Sequence, residues 1–346
     1  MKKSLILLLL AILADVAAAQ SSVTMYGTID LNGRYIKNDG STRRLSMGQD
    51  GLNNSQLVFT GREDLGSGLY AGFTLNAGVN ADTGSANTKF FNRRATFSLG
   101  GKLGEIRLGR DYTPSFWNNG YYDAFGIVGI AASGNVIQLP TTTLVRADNS
   151  IGYILPPSLG PLYGQAMVAA AELGAPGNNG RYIGARLGYK TGAWDIAVSA
   201  AEQRNAVGFP VLGNTQKTYN LGGSYDFGIV KLLGYVDRDV ASDRHETRGS
   251  VSAIVPFDQS EIHIGYDRSK LQNDATPASP YSNVVWQAKV GYVYNLSKRT
   301  AMYGTAATLK NGDRSSLAIA AGSSITAAPI PAGTSKGIEL GIRHFF

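Results

Sequence analysis

The sequence predicts an all-β fold, a transmembrane antiparallel β-barrel of sixteen strands, and three observations carry that expectation. Apolar and polar residues alternate with a period of two from Val23 to the C-terminus, as in strands with one greasy and one wet face. Short connectors rich in Gly, Asn and Asp alternate with long polar ones, as in a meander whose two rims face different compartments. Beyond the first twenty residues no apolar run approaches the roughly 20 residues a membrane-spanning helix needs, and mean hydropathy is −0.08.

The chain begins Met1-Lys2-Lys3, runs apolar from Leu5 to Ile12 and reaches Ala17-Ala18-Ala19-Gln20. A charged start, a short greasy core and a small-residue cleavage site read as a signal peptide over 1–19, leaving 20–346 as one barrel domain. In the first strand Val23, Met25, Ile29, Leu31 and Tyr35 share one face, against Thr24, Thr28, Asp30, Asn32 and Arg34. The same pattern recurs with Leu57 and Phe59, with Phe73 and Leu75, and with Ala95, Phe97 and Leu99. It continues through Ile183, Leu187, Trp194, Ile196 and Val198, then Val284, Trp286 and Val290, to Ile338, Leu340, Ile342 and Phe346.

The long connectors fall at 37–53, 79–89, 112–145, 172–180, 202–217, 238–246, 269–281 and 310–335, with seven short turns between them. Eight and seven connectors make sixteen strands, an even number that closes without edges and leaves a lumen too wide for side chains to fill. A soluble sandwich or propeller would also alternate. Its apolar face would be bulky, whereas here that face is thin in Leu and Phe, with aromatics such as Tyr35, Tyr189, Trp194 and Tyr292 near strand ends.

Composition removes several functions. With no Cys there is neither a disulfide framework nor a thiolate site, and HExxH and Walker motifs are absent, so no metal, nucleotide or cysteine chemistry is indicated and no cofactor is expected. The net charge of +7 is scattered, which argues against nucleic-acid binding. His263 between Glu261 and Asp267 reads as polar lining, and Asp237, Asp239 and Asp243 lack EF-hand spacing.

Five segments in order, SSVTMYGTID (21–30), GREDLGSGL (61–69), KFFNRRATFSLGGKLGEIRLGRDYTP (89–114), YNLSKRTAMYG (294–304) and GIRHFF (341–346), resemble the trimeric general-diffusion porins of Gram-negative outer membranes, in their β-proteobacterial branch. The resemblance implies a sixteen-stranded barrel in the outer membrane, a homotrimer, and a long third loop, here 112–145, folded into the lumen as a constriction. It implies that Phe346 serves as the signal read by the barrel-assembly machinery. The family's arginine ladder maps onto Arg93, Arg94 and Arg146, and its opposing acids onto Asp123 and, at the base of the loop, Asp111. Two positions depart from it: Gln56 stands where relatives carry an inward arginine, and Asn76 where they carry an acid.

Strand parity places Arg34, Arg107, Arg186, Arg248 and Lys231 on the polar face with Arg94, and Arg146 shares the parity of the strand Ser150–Leu155 that it precedes. Fixed guanidinium charge in a narrow neck concentrates anions and rejects cations. The competing reading is that these arginines pair with wall acids and only stiffen the barrel. The expected function is passive diffusion of small hydrophilic solutes and ions across the outer membrane, mildly favouring small anions. The alternative within the same barrel is a substrate-specific porin with a saturable track built from tyrosines such as Tyr121 and Tyr122. An outer-membrane enzyme would need a Ser/His pairing that is not visible, and a structural anchor would have a plugged lumen.

Overall fold

The computed structural model describes residues 22–139, 145–171, 181–204, 215–273, 281–319 and 328–346. The signal peptide expected at 1–19, Pro140 and much of several long connectors lie outside the described residues.

The strands are β1 (Ser22–Asn38), β2 (Arg44–Gln49), β3 (Gln56–Gly66), β4 (Leu69–Gly78), β5 (Arg94–Gly101) and β6 (Gly104–Tyr112). There follow β7 (Arg146–Ile154), β8 (Leu162–Ala169), β9 (Tyr182–Thr191), β10 (Trp194–Arg204), β11 (Thr215–Asp226) and β12 (Lys231–Ala241). The last are β13 (Arg244–Phe257), β14 (Ser260–Asn273), β15 (Tyr281–Asn295), β16 (Thr300–Lys310) and β17 (Thr334–Phe345). From β3 to β17 each strand pairs antiparallel with its sequence neighbour, and β1 pairs with β3 and β17, so the sheet closes. β2 pairs with the upper half of β1 (Leu31–Ile36) and β3 with its lower half (Ser22–Thr28). These two segments form one interrupted stave, and the seventeen segments make a sixteen-strand barrel. An unpaired backbone group in hydrocarbon costs several kcal/mol, and closure through β1 with β3 and β17 satisfies both sides of the long strands.

Burial is inverted relative to a water-soluble core. On β1, Val23 and Met25 are 67% and 60% exposed, whereas Asp30 and Arg34 are 0% and 1% exposed. Apolar side chains cover the outside of every long strand and polar ones are enclosed, the arrangement a barrel adopts in lipid. No helix among the described residues is long and apolar enough to cross a membrane.

Three details differ from the sequence expectation. The connector expected over 238–246 is a two-residue turn, because β12 and β13 stay paired up to Ala241 and Arg244. The connector expected over 37–53 contains β2, and its remainder folds onto the wall: Gly51, Leu52 and Asn53 donate their N–H groups to the Asp30 carboxylate. The parity argument for Arg146 also fails. A register shift between Gly109 and Asp111 and a left-handed Asn149 (φ 52°) separate Arg146 from the strand that follows. Gly109 (φ 123°) permits that bulge, since a Cβ there would collide with the Ala95 carbonyl.

After β6 the chain enters helix α1 (Pro114–Tyr121), with Pro114 in its first turn, where a missing N–H is harmless. From α1 to Leu139 the segment is tied to the polar face of the distant half of the sheet. Asn118 donates to the Ala197 carbonyl, Asn119 to Asp237, and the Ala124 N–H to Ser252. The N–H groups of Gln138 and Leu139 reach Glu246, and that of Ile130 reaches Glu339. Ile130, Val136 and Leu139 are 0–1% exposed. Within this connector Phe125 is buried, while Tyr121 remains 56% exposed and stacks on Trp117.

Candidate functional site

The ends of β5, β6 and β7 meet at Tyr112. The Arg146 guanidinium lies 4.6 Å over its ring and donates to its hydroxyl at 3.1 Å. Arg94 stands 5.6 Å from the same ring, and Arg93 interacts with Tyr112, Arg146 and Asp50. Phe116 and Trp117 of α1 back the ring at 5.2 and 5.0 Å. Two cations, Arg94 and Arg146, thus lie against the Tyr112 ring, a contact worth about 0.5–2 kcal/mol each depending on desolvation, and Arg93 joins them at the same side chain. The Nε–H groups of Arg93 and Arg146 are buried without a hydrogen-bond partner, and neither arginine has a carboxylate within ion-pair distance among the described residues.

Arg94 is different. Its Nε binds Asp111 at 2.6 Å, and Asp111 also takes Arg107 at 2.9 Å, while Arg107 reaches Glu105 at 2.7 Å. Asp111 therefore belongs to the β5–β6 wall and neutralises part of it.

The other expected lining cations are mostly matched by acids. Arg34 holds Glu339 through Nε and Nη2 at 3.0 and 2.9 Å. Arg248, 2% exposed, faces Asp237 at 2.7 Å, Asp239 at 2.8 Å and Glu246 at 3.6 Å. Arg186 has no ion pair with a carboxylate among the described residues but is tied to Asn118 and to the Tyr163 hydroxyl, with Tyr121 5.3 Å away. Lys231 sits at the turn end of β12 opposite Ile254, away from the Tyr112 group.

Asp123 does not face the arginines. It pairs with Lys289 at 3.1 Å, beside Asp267, on β14 and β15 across the barrel. Gln56 and Asn76 do meet, Asn76 donating to the Gln56 side chain at 3.0 Å, and the Arg93 N–H donates to the Asn76 carbonyl. The structure thus brings together Arg93, Arg94, Arg146, Gln56, Asn76 and Asp111, and separates Asp123 from them. His263 binds Glu261 at 2.9 Å and packs on Phe125.

Tyr112, the organiser of the group, was not singled out from the sequence. Its only signal was its place beside Asp111 in a recognisable segment, since nothing in strand periodicity marks an aromatic that three arginines share. Tyr163, Asp195 and Tyr122, joined by hydrogen bonds of 2.5–2.9 Å, were likewise missed as one unit.

Comparison with known proteins gives a consistent result. Residues 6–314 match the family model described as Gram-negative porin. The chain is 37% identical, over the full length of both chains, to outer membrane porin protein 32 of Delftia acidovorans. It is 24% identical to the major outer membrane protein P.IB of Neisseria gonorrhoeae, with 90% of this chain and 94% of that one covered. Among solved structures, an anion-selective porin from Comamonas acidovorans superposes with a TM-score of 0.83 at 33% identity, covering 94% of this chain and all of that one.

Proposed function

The chain belongs to the Gram-negative porin family and is an outer-membrane channel for diffusion, and from that premise we propose that it passes small hydrophilic solutes and ions with a mild preference for anions. The observation that carries this reading is the pair Arg93 and Arg146, which lie at Tyr112 with no carboxylate within ion-pair distance among the described residues, while Arg34, Arg107 and Arg248 are matched by acids. In the proposed channel, segment 114–139 lies across the lumen and narrows it, with its anchors on β9–β17 facing the arginines of β5–β7. An anion in that neck exchanges part of its hydration for guanidinium N–H groups, and a cation is repelled. Gln56 and Asn76 make the neck less charged than a full ladder, which keeps the preference mild.

The same reading takes 1–19 as a removed signal and the assembled form as a homotrimer. It takes Phe346, whose backbone exchanges two hydrogen bonds with Gly27, as the residue offered to the barrel-assembly machinery. In a planar bilayer under a salt gradient, the reversal potential should take the sign of anion preference. A cation-preferring sign would remove the arginine role and leave the barrel standing.

A substrate-specific channel is favoured by one feature, an aromatic strip beside the arginines. Tyr112, Phe116, Trp117 and Tyr121 follow one another at 5.0–6.0 Å, with Arg146 at one end and Arg186 at the other. Such a strip would hold a planar anion. Saturable block of single-channel current by an aromatic carboxylate, absent with acetate, would support it; proportional conductance for both would dismiss it.

A further inference from the structure

On the outer surface of β15, β16, β17 and β1 the sheet is concave. Tyr35, Ala288, Val290, Ala306, Thr308 and Ile338 line a groove of about 590 Å³. Its shape follows from the register. One cross-strand row reads Val290, Ala306, Ile338, Tyr35, and the row above it reads Ala288, Thr308, Lys336, Lys37. Ala288, Ala306 and Thr308 on β15 and β16 leave the hollow, and Val290, Ile338 and Tyr35 wall it.

The upper row ends on two lysines directly opposite each other, both exposed and both pointing outward. Lys310 stands in the next row up, opposite Trp286, and donates to the Ala332 carbonyl. Like charges directly opposed across an antiparallel pair are destabilising, so a pair placed here calls for an anion between them. Lys37, Lys310 and Lys336 form no ion pair with Asp or Glu among the described residues. The nearby acid, Asp39, accepts the Thr334 N–H at 2.8 Å and offsets only part of the charge. On the β6–β7 flank the comparable cation Arg110 meets Asp148 at 2.5 Å.

Height on the wall identifies the anion's source. Tyr35, and Trp286 stacked on Tyr266 at 6.2 Å, stand at the long-connector rim, where aromatic girdles mark the edge of the hydrocarbon. The lysines sit at and just beyond that edge, where lipid headgroups lie, and the apolar groove runs from them towards the bilayer centre.

We propose that this groove binds a phosphorylated lipid of the outer leaflet, with a phosphate held between Lys37 and Lys336 below Lys310 and one acyl chain along Ala288, Ala306 and Ile338. The site is independent of ion selectivity. A second copy of the chain is a poorer occupant, because it would have to bring acids to three lysines.

The test is native mass spectrometry of the whole barrel in neutral detergent, titrated with diphosphoryl lipid A and with the same lipid stripped of its phosphates. The phosphorylated lipid should bind the wild type and the dephosphorylated one should not. Lys37→Gln/Lys336→Gln should weaken binding about thirtyfold, near a factor of five for each lysine removed. Ala306→Trp, which fills the groove and leaves the charge alone, should also weaken it, and equimolar inorganic phosphate should not displace the lipid. Equal binding of the two lipids by the wild type overturns the proposal without any variant. So does unchanged binding to the double variant, displacement by free phosphate, or lipid binding confined to dissociated monomers, which would mean that a second copy covers the groove.

Discussion

Arg248 and Arg146 are both wall arginines of one barrel, yet their surroundings are opposite. Arg248 is enclosed by Asp237, Asp239 and Glu246, and the same Glu246 accepts the N–H groups of Gln138 and Leu139. Arg146 rests on an aromatic ring beside Arg93, with no acid in ion-pair contact among the described residues. The first arrangement fixes segment 114–139 to β12 and β13, and the second, in the proposed function, leaves positive charge for a passing ion. A count of inward arginines therefore overstates selectivity. What matters is which guanidinium lacks a carboxylate.

The largest expected effect lies on the structural side. Arg248→Met strands three buried carboxylates and should cost about 3–5 kcal/mol, read as a lower unfolding temperature in detergent. If that variant instead keeps its stability and moves the reversal potential as far as a substitution at Arg146, both arginines face the solution and the contrast is lost. Next comes the Arg93→Glu/Arg146→Glu pair. Reversing both charges changes the neck by four units and should lower the anion-to-cation permeability ratio about a hundredfold, with little change in stability. A unit charge about 6 Å from an ion in water contributes roughly 0.7 kcal/mol, or about threefold. Gln56→Arg restores one such charge and should raise the ratio about threefold in the same measurement. Arg186→Glu should move it by less than Arg146→Glu does, because Arg186 is already occupied by Asn118 and Tyr163. Equal effects at Arg186 and Arg146 would mean that the neck lies closer to α1 than to Tyr112.

Much of this was readable in the chain itself. Alternation from Val23 onward gave the faces, because a strand has only two, and the two classes of connector gave sixteen staves. The errors occur where periodicity carries no information. Between Asp50 and Ser55 the stave breaks to satisfy Asp30, a requirement visible only once β1 and that turn are neighbours. At Gly109 and Asn149 a bulge shifts the register, and parity counted along the sequence cannot detect an inserted residue. For the site, Arg93, Arg94 and Arg146 were named from a resemblance, and their convergence on Tyr112 agrees with that grouping. Asp123 stands apart from that group and pairs with Lys289, a partner that could not be read from a long connector without a period to fix its side chains.

The most direct measurement is the reversal potential of the purified channel and its Arg93→Glu/Arg146→Glu variant in the same bilayer and the same salt gradient. The wild type should show the anion sign and the variant should approach zero or change sign. An unaltered potential in a folded, conducting variant would contradict the assignment of selectivity to the arginines at Tyr112.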